Sequence, residues 1–139
     1  PYRTPDVWSG EARQVGLQQE LEICLIETAL KALSHLPKNI YVSVNASPET
    51  VASGELADVL MPWPAERGVL EITEHSLVSD YDTLLKELDA LRFRGVRLAI
   101  DDAGAGYAGL QQIVQLHPDI IKLDVTLTAD IDTSVVRRS

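Results

Sequence analysis

The sequence predicts an α/β fold built around a parallel sheet. Two observations carry this. Short β-branched runs alternate with segments of helical period along the whole chain. The runs are also near-continuously apolar, as strands covered by helices on their faces are. A third observation fits the same class: four successive strands end in polar groups, at the edge where parallel α/β proteins bind ligands.

The elements follow in order. A helix is expected from about Glu11 to Leu36, with Leu17, Leu21, Cys24, Leu25, Ala29, Leu33 and Leu36 at helical spacing and Pro37 closing it. IYVSVN is the first strand, ending at Asn45. Ser47-Pro48-Glu49 opens a second helix, with Ser47 as N-cap and Pro48 in the first turn, running to about Leu60 before the MPWP turn. GVLEIT, residues 68–73, is the second strand. A third helix, about Tyr81 to Arg94, places Leu84, Leu85, Leu88 and Leu91 on one face, and Gly95 ends it. VRLAID is the third strand, followed by a glycine loop and a short helix to about Leu116. DIIKLD is the fourth, and the tail from about Leu127 to Arg138 begins another helix. No linker or low-complexity stretch interrupts the series. Periodicity alone does not decide whether the sheet is open or a segment of a barrel.

Composition narrows the function classes. A chain of 139 residues with 45% hydrophobic side chains supports one compact core. Twelve basic against 21 acidic residues give a net charge of -9, which argues against a DNA or RNA duplex as partner. The single Cys24 excludes an internal disulfide, and its apolar neighbours point to a buried thiol in a reducing compartment. No apolar run approaches a membrane span, and PYRTPDVW lacks the regions of a signal peptide, so a cytoplasmic location without membrane insertion is expected.

The glycine loop invites a specific alternative. Gly104-x-Gly106-x-x-Gly109 follows a strand, and Asp124 lies twenty residues beyond Gly104, the spacing of a dinucleotide-binding loop. Asp101 and Asp102 stand directly before these glycines, however, and would repel a pyrophosphate unless cations lay between. The strand ends supply Asn45, Glu71, the Asp101–Asp102 pair, and Lys122 with Asp124. Oxygen ligands without a His or Cys cluster imply hard cations such as Mg²⁺ or Mn²⁺. The loop therefore reads as part of a metal site. His35 reads as compensation at a helix end, and His75 and His117 lack ligand spacing. Trp8 and Trp63 read as packing residues, and Arg137-Arg138 as a solvated end.

Asn45 within VSVNAS, Glu71 and Glu74 within LEITE, DDAGAGYAGL and IKLD, in this order and at these intervals, resemble the EAL family of cyclic-di-GMP phosphodiesterases. The family pattern runs V-N-x-S, E-x-T-E, D-D-F-G-T-G-Y-S-S-L, K-x-D. PDVWSGEARQVGLQQELE also resembles the family segment after the first strand, so the likeness spans essentially the whole chain.

The resemblance implies a TIM-barrel-type EAL domain binding cyclic-di-GMP at the strand C-terminal ends, here an incomplete barrel of about four parallel strands with flanking helices. Asn45, Glu71, Asp101 and Asp102 match metal ligands, with Asp101 bridging two cations and Asp102 serving the second. Lys122 matches the group that orients or polarises the attacking water, Glu74 the anchor of the loop after Asp102, and Asp124 a support for the lysine and the metal shell. Two Mg²⁺ or Mn²⁺ ions would assist in-line attack of water, giving linear pGpG.

A TIM barrel typically needs ~250 residues. Residues 1–139 then correspond to a partial EAL domain, with the E-x-L strand expected before Pro1 and further acid-bearing strands after Ser139. Ala103, Ala105, Ala108 and Gly109 replace Phe, Thr and two Ser residues of the family loop. Open strand edges predict self-association, for which a dimer is one form. The parent chain has room for other signalling domains. Two other readings remain: an EAL domain that serves as a cyclic-di-GMP receptor or protein-interaction module, and an unrelated metal-dependent barrel enzyme.

Overall fold

The computed structural model describes residues 3–73, 77–104 and 108–129. Four strands, β1 (Val42–Asn45), β2 (Gly68–Thr73), β3 (Arg97–Ala103) and β4 (Ile120–Leu123), form one sheet in sequence order, every pair parallel. Helices α1 (Pro5–Gln14) and α2 (Gln18–Lys31) precede β1. Helices α3 (Pro48–Ala52) and α4 (Glu55–Leu60) lead to β2, α5 (Tyr81–Phe93) to β3, α6 (Ala108–Leu116) to β4, and the short α7 (Val125–Thr128) follows. This is the α/β class that the alternating pattern predicts.

The core lies between the helices and one face of the sheet. Leu70 and Ile72 of β2 and Leu98 and Ile100 of β3 meet Ile26, Leu30, Leu56, Leu84, Leu88 and Leu116. Strand alternation turns the intervening residues to the opposite, inner face. That face carries Ser43 and Asn45, then Val69, Glu71 and Thr73, then Arg97, Ala99 and Asp101, then Ile120 and Lys122. Helix starts are fixed as the sequence suggests: the Ser47 hydroxyl accepts from the Thr50 amide at 3.2 Å. Glu22 of α2 in turn accepts from the Ser47 amide at 2.8 Å and its hydroxyl at 2.9 Å.

At the strand N-terminal ends, three arginines bind backbone carbonyls at helix ends and in the loop before β1. Arg67 donates to Leu33 O (3.2 Å), Pro37 O (2.8 Å) and Ile40 O (2.8 Å). Arg94 donates to Ala57 O (2.7 Å) and Leu60 O (3.0 Å), and Arg92 to Leu116 O (2.5 Å) and His117 O (2.7 Å). The last carbonyls of a helix have no partner within it and carry its negative dipole end, so guanidinium groups satisfy both needs.

Several expectations need correction. The helix expected over 11–36 begins at Pro5 and is split at Gly16, and the one expected over 48–60 is split at Gly54. Both glycines have positive φ, +74° and +80°, which a continuous helix cannot accommodate. Cys24 is exposed, not buried. The inward stripe of α2 runs through Ile23, Ile26 and Leu30, and Cys24 lies about 200° around the helix from Ile26. Trp8 is exposed as well, on the rim of a hollow of about 450 Å³ lined by α1 and α2, whereas Trp63 packs against the core. The last helical turn begins at Val125 and ends at Thr128; the rest of the expected tail helix falls outside the described residues.

Candidate functional site

The parallel register sets the site. Asn45 pairs with Glu71 across β1 and β2, and Thr73 pairs with Asp101 across β2 and β3. Glu71, Ala99 and Ile120 are level on three adjacent strands. At that level β3 contributes the small, fully buried Ala99. Lys122, two residues along from Ile120, reaches across to the acids: its Nζ lies 3.0 Å from Glu71 Oε2 and 3.0 Å from Asp101 Oδ1.

The two acids are otherwise held differently. The Ser43 hydroxyl donates to Glu71 Oε1, so each oxygen of that carboxylate has its own partner. Asp101 Oδ1 also accepts the Asp102 amide at 3.1 Å. Glu71 is largely enclosed, with 11% of its side chain exposed, against 44% for Lys122. Burial alone would lower the Lys122 pKa, but its hydrogen bonds to Asp101 and Glu71 outweigh that and raise it. An ammonium between two carboxylates marks a place where positive charge is favoured.

The register of β3 with β4 shifts between Ile100 and Ala103, the mark of a bulge. Asp102 sits in it with φ +56°, exposed to solvent. Aspartate tolerates this left-handed conformation better than most residues. Asp124 terminates β4: its amide donates to Ala103 O at 3.1 Å, and its Oδ1 accepts the Thr126 amide at 2.6 Å, capping α7. That turn brings Leu127 against Gly104, where an added Cβ would fall 2.0 Å from Leu127 Cδ1.

Of the residues the sequence singles out, Glu71, Asp101 and Lys122 are in direct contact, and Asn45 is beside Glu71 in register. Asp102 borders the cluster on the bulge, and Asp124 lies at the end of the lysine's strand. Glu74 and His75 are outside the described residues. Sequence reasoning missed Ser43, although its place two residues before Asn45 sends it to the same face. It also missed Arg97, whose guanidinium stacks 4.9 Å from the Tyr41 ring.

The donor set fits part of a hard-cation shell. Glu71 and Asp101 already converge on one cationic group, and Asn45, exposed and level with Glu71 in register, carries a neutral amide oxygen. Among the described residues no three His, Cys, Asp or Glu side chains gather as a metal-binding group, so two carboxylates are the extent of the acidic set here. Among the described residues, no helix is long and apolar enough to cross a membrane.

The chain resembles known proteins in sequence and fold. A family model described as EAL domain matches residues 4–139. The chain is 30% identical to the probable cyclic di-GMP phosphodiesterase PdeA of Escherichia coli, over 96% of this chain and 20% of that protein. It superposes on Klebsiella pneumoniae BlrP1, solved as a manganese/cy-diGMP complex, with a TM-score of 0.73 and 31% identity, over 87% of this chain and 33% of that one. The Xanthomonas citri FimX EAL domain, in complex with c-diGMP, gives a TM-score of 0.83 at 19% identity, covering 99% of this chain and 58% of that one, a likeness of fold. The chain spans about a fifth of the length of the first curated relatives it matches.

Proposed function

Because the chain belongs to the EAL domain family, we propose that it supplies the central part of a cyclic-di-GMP phosphodiesterase site. The observation that supports this reading is the convergence of Glu71 Oε2 and Asp101 Oδ1 on one point, held here by the Lys122 ammonium. Glu71, Asp101 and Asn45 would hold a divalent cation, Mg²⁺ or Mn²⁺, and Asp102 with Asp101 a second. Such cations supply charge stabilisation at phosphate and acidify water at neutral pH. BlrP1, which binds manganese and the cyclic dinucleotide together, supports the ligand class.

In this reading water attacks phosphorus in line, the bond to the 3′ oxygen breaks, and that oxygen takes up a proton, leaving linear pGpG. Lys122 would orient the water and offset charge growing on the phosphate. Glu74 would brace the glycine loop, and Asp124 fixes the end of the lysine's strand. Residues 1–139 form the middle of the domain, with an E-x-L strand before them and further acidic ligands after them. A cytoplasmic location, attached signalling domains and self-association belong to the same proposal.

The test uses the intact protein. It should convert cyclic-di-GMP to pGpG with Mn²⁺ and stop when the metal is chelated. Asp101→Asn should weaken Mn²⁺ binding about tenfold or more, since even groups supporting a ligand are worth that much. Unchanged affinity in that variant would remove Asp101 from the metal shell.

A further inference from the structure

Among the described residues, Ser43 is the side-chain contact of the Glu71 carboxylate that the metal reading leaves without a role. Its hydroxyl occupies Oε1, while Oε2 lies 3.0 Å from Lys122 Nζ, at the position on which Asp101 Oδ1 also converges. The two oxygens of one carboxylate thus have separate duties. One is tied to a neutral hydroxyl, and the other to the Lys122 ammonium, where the metal reading would put a cation.

We propose that Ser43 is a positioning residue that confines Glu71 to one-oxygen coordination and so biases the site toward Mg²⁺ and Mn²⁺ over Ca²⁺. The inference rests on the metal reading above. Mg²⁺ demands a near-ideal octahedron with ligands at about 2.0–2.1 Å, whereas Ca²⁺ takes six to eight oxygens at about 2.3–2.6 Å and accepts both oxygens of a carboxylate. A carboxylate binding through both oxygens spans a narrow angle at the metal, which a small octahedral shell accommodates poorly. With Oε1 held by Ser43, Glu71 offers one oxygen in a fixed direction. Without the hydroxyl, the carboxylate is free to swing and present both. Ser43 lies outside the buried core of the described residues, so its replacement leaves the packing of that core in place.

Calorimetric titration of the intact, metal-free protein with Mg²⁺ and with Ca²⁺ tests this. Ser43→Ala should lower Mg²⁺ affinity about tenfold while Ca²⁺ affinity holds or rises. Ser43→Thr, which keeps a hydroxyl, should retain the wild-type preference, and its near-isostere Ser43→Val should lose it. The Thr/Val pair decides the matter if the alanine variant folds poorly by circular dichroism. Wild-type binding with an unchanged Mg²⁺/Ca²⁺ ratio in the Ala and Val variants overturns the inference and leaves the metal centre standing. Absence of saturable divalent binding by the wild type overturns the metal reading, and the inference with it.

Discussion

Glu71 and Asp101, on adjacent strands, share one ammonium: Lys122 Nζ stands 3.0 Å from an oxygen of each. Two anions brought together on a sheet face would repel each other, and the lysine offsets that cost while the site holds no metal.

Lys122→Ala should therefore affect chemistry more than folding. In the intact protein, turnover should fall about 10²-fold or more, because the group acts on developing charge. With 44% of the lysine exposed, screening limits the pair's contribution to about 1 kcal/mol or less, a shift of a few degrees in melting temperature. A large loss of stability with normal turnover per folded molecule would make Lys122 structural.

The pH dependence of that contribution has a definite sign. The folded protein raises the Lys122 pKa above its ordinary 10.5, so the stabilisation is full below 10.5 and is lost as pH rises through the higher folded value. The melting-temperature difference between wild type and Lys122→Met, metal-free, should stay level over roughly pH 6–9 and shrink only in stronger alkali. A difference already gone by about pH 9 would contradict the bridging geometry.

Gly104 and Leu127 should be coupled. Gly104 has φ +102°, and a Cβ there would strike Leu127 Cδ1. Gly104→Ala should cost about 1–2 kcal/mol from backbone strain, and more from the clash. Adding Leu127→Ala should recover the clash but not the strain. Strict additivity in denaturant melts would show that α7 does not rest on the glycine loop.

The 139-residue chain by itself should not hydrolyse cyclic-di-GMP, since among the described residues no three acidic side chains gather to hold a cation. β1 and β4 each pair on one side only within the four-stranded sheet, so the chain should also associate as its concentration rises. Chromatography for pGpG, with light scattering for mass, checks both. Sustained turnover that vanishes in Asp101→Asn would show that ligands beyond these residues are dispensable.

The strands were the most legible part of the sequence. The expected GVLEIT run coincides with β2, because β-branched apolar runs between turn residues leave few alternatives. Glu71, Asp101 and Lys122 were legible too, each a charge at the end of an apolar run. Helix boundaries were less so. Leu17, Leu21 and Leu25 form a regular apolar stripe, yet Leu17 and Leu25 are exposed, while the buried stripe runs through Ile26 and Leu30. Periodicity finds a stripe but not which stripe faces the sheet. Ser43 was invisible because its meaning depends on which residue two strands in register bring beside it. The arginine contacts were equally hidden, since their partners are backbone carbonyls common to every residue.

The three arginines that bind backbone carbonyls all lie at the strand N-terminal ends, while the acids and the lysine occupy the opposite ends. Guanidinium groups keep their charge throughout the accessible pH range and ask nothing of the side chains they bind, because they bind peptide oxygens. Mutational tolerance is thereby divided along the length of the sheet. Libraries that randomise the exposed Asn45 and Asp102 should return mostly folded proteins, whereas equal diversity at Arg67, Arg92 and Arg94 should return fewer. The fold is thus laid out for evolvability: new specificities can be sampled at one rim while the other keeps the chain assembled.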